Sequence, residues 1–152
     1  MAMVGFNQKQ MFFDRQAVID AVGRANARNL SRAGSFIRRA ARSSLRKRKR
    51  VSEPGQPPSV HTQDRVATLK NIWFGLDRRR ATAVVGPVRL NRSTLFGSSR
   101  STVPELHEFG GSAEIVKRKK RKRVVYAPRP FMGPALRKEL PKLPGLWAKS
   151  VK

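Results

Sequence analysis

Positive charge, and where it is concentrated, most limits what this sequence can fold into. Residues 117–123 read KRKKRKR, seven cations in seven positions, residues 38–50 carry eight Lys or Arg, and residues 78–80 add three. Such runs repel one another and stay out of a core, so burial must come from the segments between them. The chain holds 34 Lys plus Arg against 9 Asp plus Glu in 152 residues, a net charge of +25. Its surroundings must tolerate or use that charge. Leu, Ile, Val and Phe number 37, about 24% of the chain, just above the roughly 20% below which highly charged chains stay unfolded. One folded domain with a modest core is expected, with neighbouring chains supplying part of the burial.

Between the basic runs the apolar pattern predicts an α+β fold. From Asp14 to Leu45, Ala17, Val18, Ala21, Val22, Ala25, Leu30, Ala33, Ile37, Ala40 and Ala41 recur mostly every three or four residues, a long amphipathic helix with Asp14 as N-cap. Gly34 in its interior implies a bend or a close contact. Residues 51–62, VSEPGQPPSVHT, form a proline-rich loop, after which Thr62, Gln63 and Asp64 open a short helix. Ile72, Phe74 and Leu76 alternate with polar or small residues as in a strand, Arg78 to Arg80 turn, and Ala83 to Val85 return. Residues 91–102 are turn-rich, and Val103 to Phe109 make a short helix ending at Gly110 and Gly111. AEIV and VVYA then form a second hairpin with the basic run 117–123 as its tip, followed by a short helix at ALRKEL. The expected architecture is a long N-terminal helix packed on a small, mostly antiparallel sheet of two hairpins, then a short C-terminal helix and an extended tail. Residues 1–13 would be an arm, 14–140 the domain and 141–152 the tail.

Catalysis finds no support in the sequence. No cysteine is present, and the two histidines, His61 and His107, have no HExxH spacing around them. GxSxG, Walker A and GxGxxG runs are missing as well. A non-enzyme without metal or cofactor is expected. No apolar run approaches the roughly 18–20 residues of a membrane span, and the opening MAMVGFNQKQMFF lacks the layout of a secretory signal. A soluble or assembled protein with no membrane partner follows. The basic segments are suited to phosphate backbones, which bind through counterion release rather than base reading. The candidate nucleic-acid-facing residues are Arg46, Lys47, Arg48, Lys49 and Arg50, with Lys117, Arg118, Lys119, Lys120, Arg121, Lys122 and Arg123.

Three Gly/Pro motifs add order to this picture. Pro54-Gly55-Gln56-Pro57-Pro58, then LKNIWFGLD and AVVGP, then Glu105-Leu106-His107-Glu108-Phe109-Gly110-Gly111, and finally Ala127-Pro128-Arg129-Pro130-Phe131-Met132-Gly133-Pro134-Ala135-Leu136 follow a basic long helix. In this order, over roughly residues 15–140, they resemble the neck and tail-completion proteins of tailed bacteriophages. The resemblance implies a structural virion protein in the neck or upper tail, made in the host cytoplasm. It would form a homo-oligomeric ring, six-fold or twelve-fold, that joins a head-side adaptor or portal to tail-tube or terminator proteins. It also implies that Glu108, Phe109 and Gly110, with Arg129, Pro130, Phe131 and Pro134, determine the fold, Phe109 and Phe131 as core anchors and Arg129 paired with Glu108. Pro54, Gly55, Pro57 and Pro58 would set the loop, and Leu146 and Trp147 would anchor the tail on a neighbour.

Two features depart from the family pattern. The Thr-Gly-Leu common after PGxPP is missing, the nearest residues being Thr62, Gln63 and Asp64, and +25 is a high charge for such a protein. Basic tips facing a channel that holds packaged DNA would account for the charge. A ribosomal-type RNA-binding protein is the competing reading of the same composition, and a basic peripheral membrane protein is a third, weakened by the alanines on the first helix.

Overall fold

The computed structural model describes residues 14–61, 68–88, 90, 102–117, 120–148 and 150. The fold is α+β. Helix α1 (Arg15–Ser44) leads to strands β1 (Ile72–Asp77) and β2 (Thr82–Pro87), helix α2 (Val103–Phe109), and strands β3 (Gly111–Lys117) and β4 (Lys120–Tyr126). Helix α3 (Met132–Glu139), a 3-10 turn (Leu140–Lys142) and the one-turn helix α4 (Pro144–Trp147) complete it. The expected helix opening at Thr62 and most of the turn-rich stretch from residue 91, like the arm 1–13, lie outside the described residues.

The Asp14 carboxylate accepts the Ala17 N–H at 2.9 Å, which satisfies one of the orphan donors at the start of α1. Ala25, Asn29, Ala33, Gly34 and Ala41 form its buried stripe. Small residues let the β1–β2 hairpin approach closely: a Cβ on Gly34 would sit 2.9 Å from Phe74 Cδ2. The Arg38 guanidinium fixes the same junction by donating from Nε to the Ile72 carbonyl at 2.6 Å.

Both hairpins are antiparallel, and each is its own two-stranded sheet. In the first, Phe74 opposes Val85 and Leu76 opposes Ala83. The alternation puts Ile72 in the core and leaves Trp73 63% exposed on the other face. At the turn, Asp77 Oδ1 accepts the N–H groups of Arg79 and Arg80 at 3.0 and 3.2 Å. Phe131, Leu45 and Ile72 are fully buried and form the core with Ala41, Val60, Leu69 and Ala135. The core therefore lies where the end of α1, the start of β1 and the start of α3 meet.

Two expectations are corrected here. The basic run joins the two strands, but most of it is paired strand rather than connection: β3 continues through Lys117 and β4 begins at Lys120, in a register pairing Lys117 with Lys120, Val116 with Arg121 and Ile115 with Lys122. Backbone pairing continues past the apolar residues because only residues 118 and 119 separate the strands, and a short connection favours ladder bonds up to the turn. The tail is not extended either. Pro141 and Pro144 each stand in the first turn of a helical segment, where a missing N–H costs nothing, and the chain folds back so that Trp147 Nε1 donates to Asn26 Oδ1 on α1 at 3.0 Å.

Candidate functional site

The three Gly/Pro motifs, far apart in sequence, meet at one node. Helix α3 has no cap from its own side chains. Its first four positions, where N–H groups lack helical acceptors, are Phe131, Met132, Gly133 and Pro134. Glu108 on α2 supplies the acceptors: Oε2 takes the N–H of Phe131 at 2.9 Å and of Met132 at 3.0 Å, and Oε1 takes that of Gly133 at 2.7 Å. Pro134 has no N–H to satisfy. One carboxylate thus completes the helix start, and its charge also faces the positive end of the helix dipole.

Arg129 joins the other two segments to this cap. Its backbone N–H donates to the His107 carbonyl at 2.6 Å, and its Nε to the Ser52 carbonyl at 2.9 Å. Next to it, the Pro128 carbonyl accepts the Gly55 N–H at 2.8 Å. Gly55 has φ +82° and Gly110 φ +74°, both in the left-handed region. At Gly110 a Cβ would also lie 3.0 Å from the Tyr126 carbonyl. The expected Arg129–Glu108 ion pair does not form: Glu108 serves the α3 amides and Arg129 the loop carbonyl. A carboxylate flanked by three aligned N–H groups needs no guanidinium.

Phe131 is fully buried, as expected of a core anchor, but Phe109 is 80% exposed. It is the last residue of α2, whose buried residues are Pro104 and Leu106, with Val103 packed against the core. His107, on the same turn, packs edge-on against Tyr126. Burial first, and the Arg129 charge second, hold its pKa below the usual histidine value. Its Nδ1 is buried with no partner among the described residues. Pro130 and Pro134 flank the capped turn, partly buried.

The basic candidates divide by what they do. Arg46, Lys47, Lys49 and Arg50 are exposed just after α1, although Arg46 Nε also donates to the Ser43 carbonyl at 3.2 Å. Arg48 braces the proline-rich loop, donating to the Pro57 carbonyl at 3.0 Å while its backbone N–H donates to Ser59 Oγ. Pro58 is buried beneath that loop, Pro57 partly so, and Pro54 exposed. On the β3–β4 ribbon, Lys122 and Arg123 are exposed, and Arg123 donates to Ser112 Oγ at 3.1 Å. Lys117, Lys120 and Arg121 lie on the paired strands, and Arg118 and Lys119 lie outside the described residues. Leu146 is half-buried beside Trp147. One basic set follows α1, and the other lies on a ribbon whose chief helical neighbour is α2.

The sequence reading passed over Arg24, Arg28 and Arg32, three exposed arginines four residues apart on α1. Their spacing was available as a signal, hidden by the denser runs. Among the described residues no group of three or more His, Asp or Glu could hold a metal ion, and no helix is long and apolar enough to cross a membrane. No protein-family model, curated protein or solved structure matches the chain.

Proposed function

We propose that the chain is a structural protein of the neck or upper tail of a tailed bacteriophage, a tail-completion component. It works by forming a ring and joining neighbouring rings, and not by catalysis. The observation that carries this reading is the node at which PGQPP, HEFG and RPFMGP are bonded together through Gly55, Glu108 and Arg129. Motifs that carry the family resemblance are expected to form one structural unit, and here they cap one helix and fix one loop. Partners would be further copies of the chain, six or twelve to a ring, and the head-side adaptor or portal or the tail-tube and terminator proteins. The exposed basic ribbon and the segment after α1 would face packaged DNA.

Exposed aromatic groups supply a means of assembly. Trp73 on the outer face of the first hairpin and Phe109 at the end of α2 are 63% and 80% exposed. Aromatic anchors of this kind contribute most when an interface covers them. The double substitution Trp73→Ser/Phe109→Ser is therefore expected to leave a folded monomer with unchanged far-ultraviolet dichroism while abolishing rings seen by electron microscopy. Rings that persist in the double variant would contradict this assembly surface.

A further inference from the structure

Arg24, Arg28 and Arg32 stand four residues apart on α1, so each step climbs about 6 Å and turns about 40° around the helix. All three are exposed, and none has an ion-pair or hydrogen-bond partner among the described residues. Cavities flank the row on both sides. One of about 820 Å³ is bordered by Ile19, Asp20, the three arginines and Arg78 from the hairpin turn. The other, about 600 Å³, lies between α1 and the folded-back C-terminal segment, bordered by Arg28, Asn29, Arg32, Gly145, Leu146 and Ser150.

Asn29 supplies an independent observation. It is only 4% exposed, and its Nδ2 is buried with no acceptor among the described residues. An unpaired buried amide is costly and calls for a partner. Asn29 also borders the second cavity.

We infer that the Arg24–Arg28–Arg32 row and the cavity at Asn29 form a phosphate-binding track for the backbone of DNA, separate from both basic runs. Arg28 and Arg32 grip one phosphate between them with their forked donors, Asn29 and the Ser150 hydroxyl complete its hydrogen bonds, and Arg24 with Arg78 meets the next. Asp20, which accepts from Gln16 at 3.0 Å, bounds the track by repulsion. A repeating row of one charge fits a repeating anion and reads no base sequence. The choice of DNA as the strand rests on the virion reading; the anion site does not.

Anisotropy of a labelled, mixed-sequence DNA duplex over a range of salt concentrations tests the track. Arg28→Ala/Arg32→Ala is expected to weaken binding about tenfold and to reduce the slope of log K against log salt by about 1, the value for one lost phosphate contact. Arg137→Ala/Lys138→Ala removes the same charge from α3, and an equal loss there would reduce the effect to net charge and overturn the track. Asn29→Leu keeps the branching at Cγ and removes the unpaired amide, so it is expected to weaken binding several-fold with the melting temperature unchanged or raised. A lowered melting temperature with unchanged binding would make Asn29 a structural residue and overturn its role. Pyrophosphate is the second probe: a thermal shift with pyrophosphate but no duplex binding would assign the cavity to a free anion and overturn the strand. Failure of the track leaves the ring untouched, because ring formation is read by mass in the absence of nucleic acid.

Discussion

Glu108 holds the start of α3, because three backbone donors from another segment end on its two oxygens. Removing it leaves partly buried N–H groups unpaired at the start of α3. Glu108→Ala is expected to cost about 2–3 kcal/mol in urea denaturation, and a loss below about 0.5 kcal/mol would show that water replaces the cap. Its neighbour His107 gives the node a pH dependence. Because burial and Arg129 lower its pKa in the folded state, the unfolded chain takes up the proton more readily. Stability is then complete above about pH 6.5, the unfolded value, and falls as the pH drops toward the folded one. The melting temperature should decline between about pH 7 and pH 5 more in the native protein than in His107→Gln; parallel declines would assign the effect to other groups. Glu108, Arg129 and Phe131 stood out in the sequence, yet their bonding did not. A carboxylate that seeks amides and a guanidinium that seeks carbonyls are bonded to backbone groups, which side-chain spacing does not reveal.

Elements were more legible than contacts. The three- and four-residue spacing of alanines gave α1 to within a residue at each end, and the alternation around Phe74 gave the first hairpin. In the second hairpin pairing runs further into the basic residues than the apolar pattern implies, because register and a short connection decide where it ends. Residues 141–152 look like an extended tail because of their prolines, yet proline also starts helical turns, and Trp147 returns to Asn26. Gly34 was recognised as a possible close contact, and the contact is Phe74. Gly34→Ala gains about 1 kcal/mol of helix propensity but forces a methyl group into the Phe74 ring, at a cost of about 1–3 kcal/mol. A net fall in melting temperature is expected, with partial recovery in Gly34→Ala/Phe74→Leu. A rise in the single variant would mean that the hairpin shifts freely on α1.

At the scale of the whole molecule, charge and burial pull in different directions. A small core centred on Phe131, Leu45 and Ile72 supports a chain with a net charge of +25, whose self-repulsion opposes compactness and association alike. A ring of such chains must gain enough from covering apolar groups such as Trp73 and Phe109 to offset that repulsion, and salt or a bound polyanion should favour it. The most direct measurement is the absolute mass of the nuclease-treated protein by light scattering at low and high salt. The account predicts nucleic-acid-free rings of defined mass, six or twelve times 17.1 kDa, formed alone or on adding a neck partner and more complete at high salt. A monomer at both salt concentrations, with or without that partner, and retained by RNA until high salt strips it, would contradict the account and make RNA binding the primary activity.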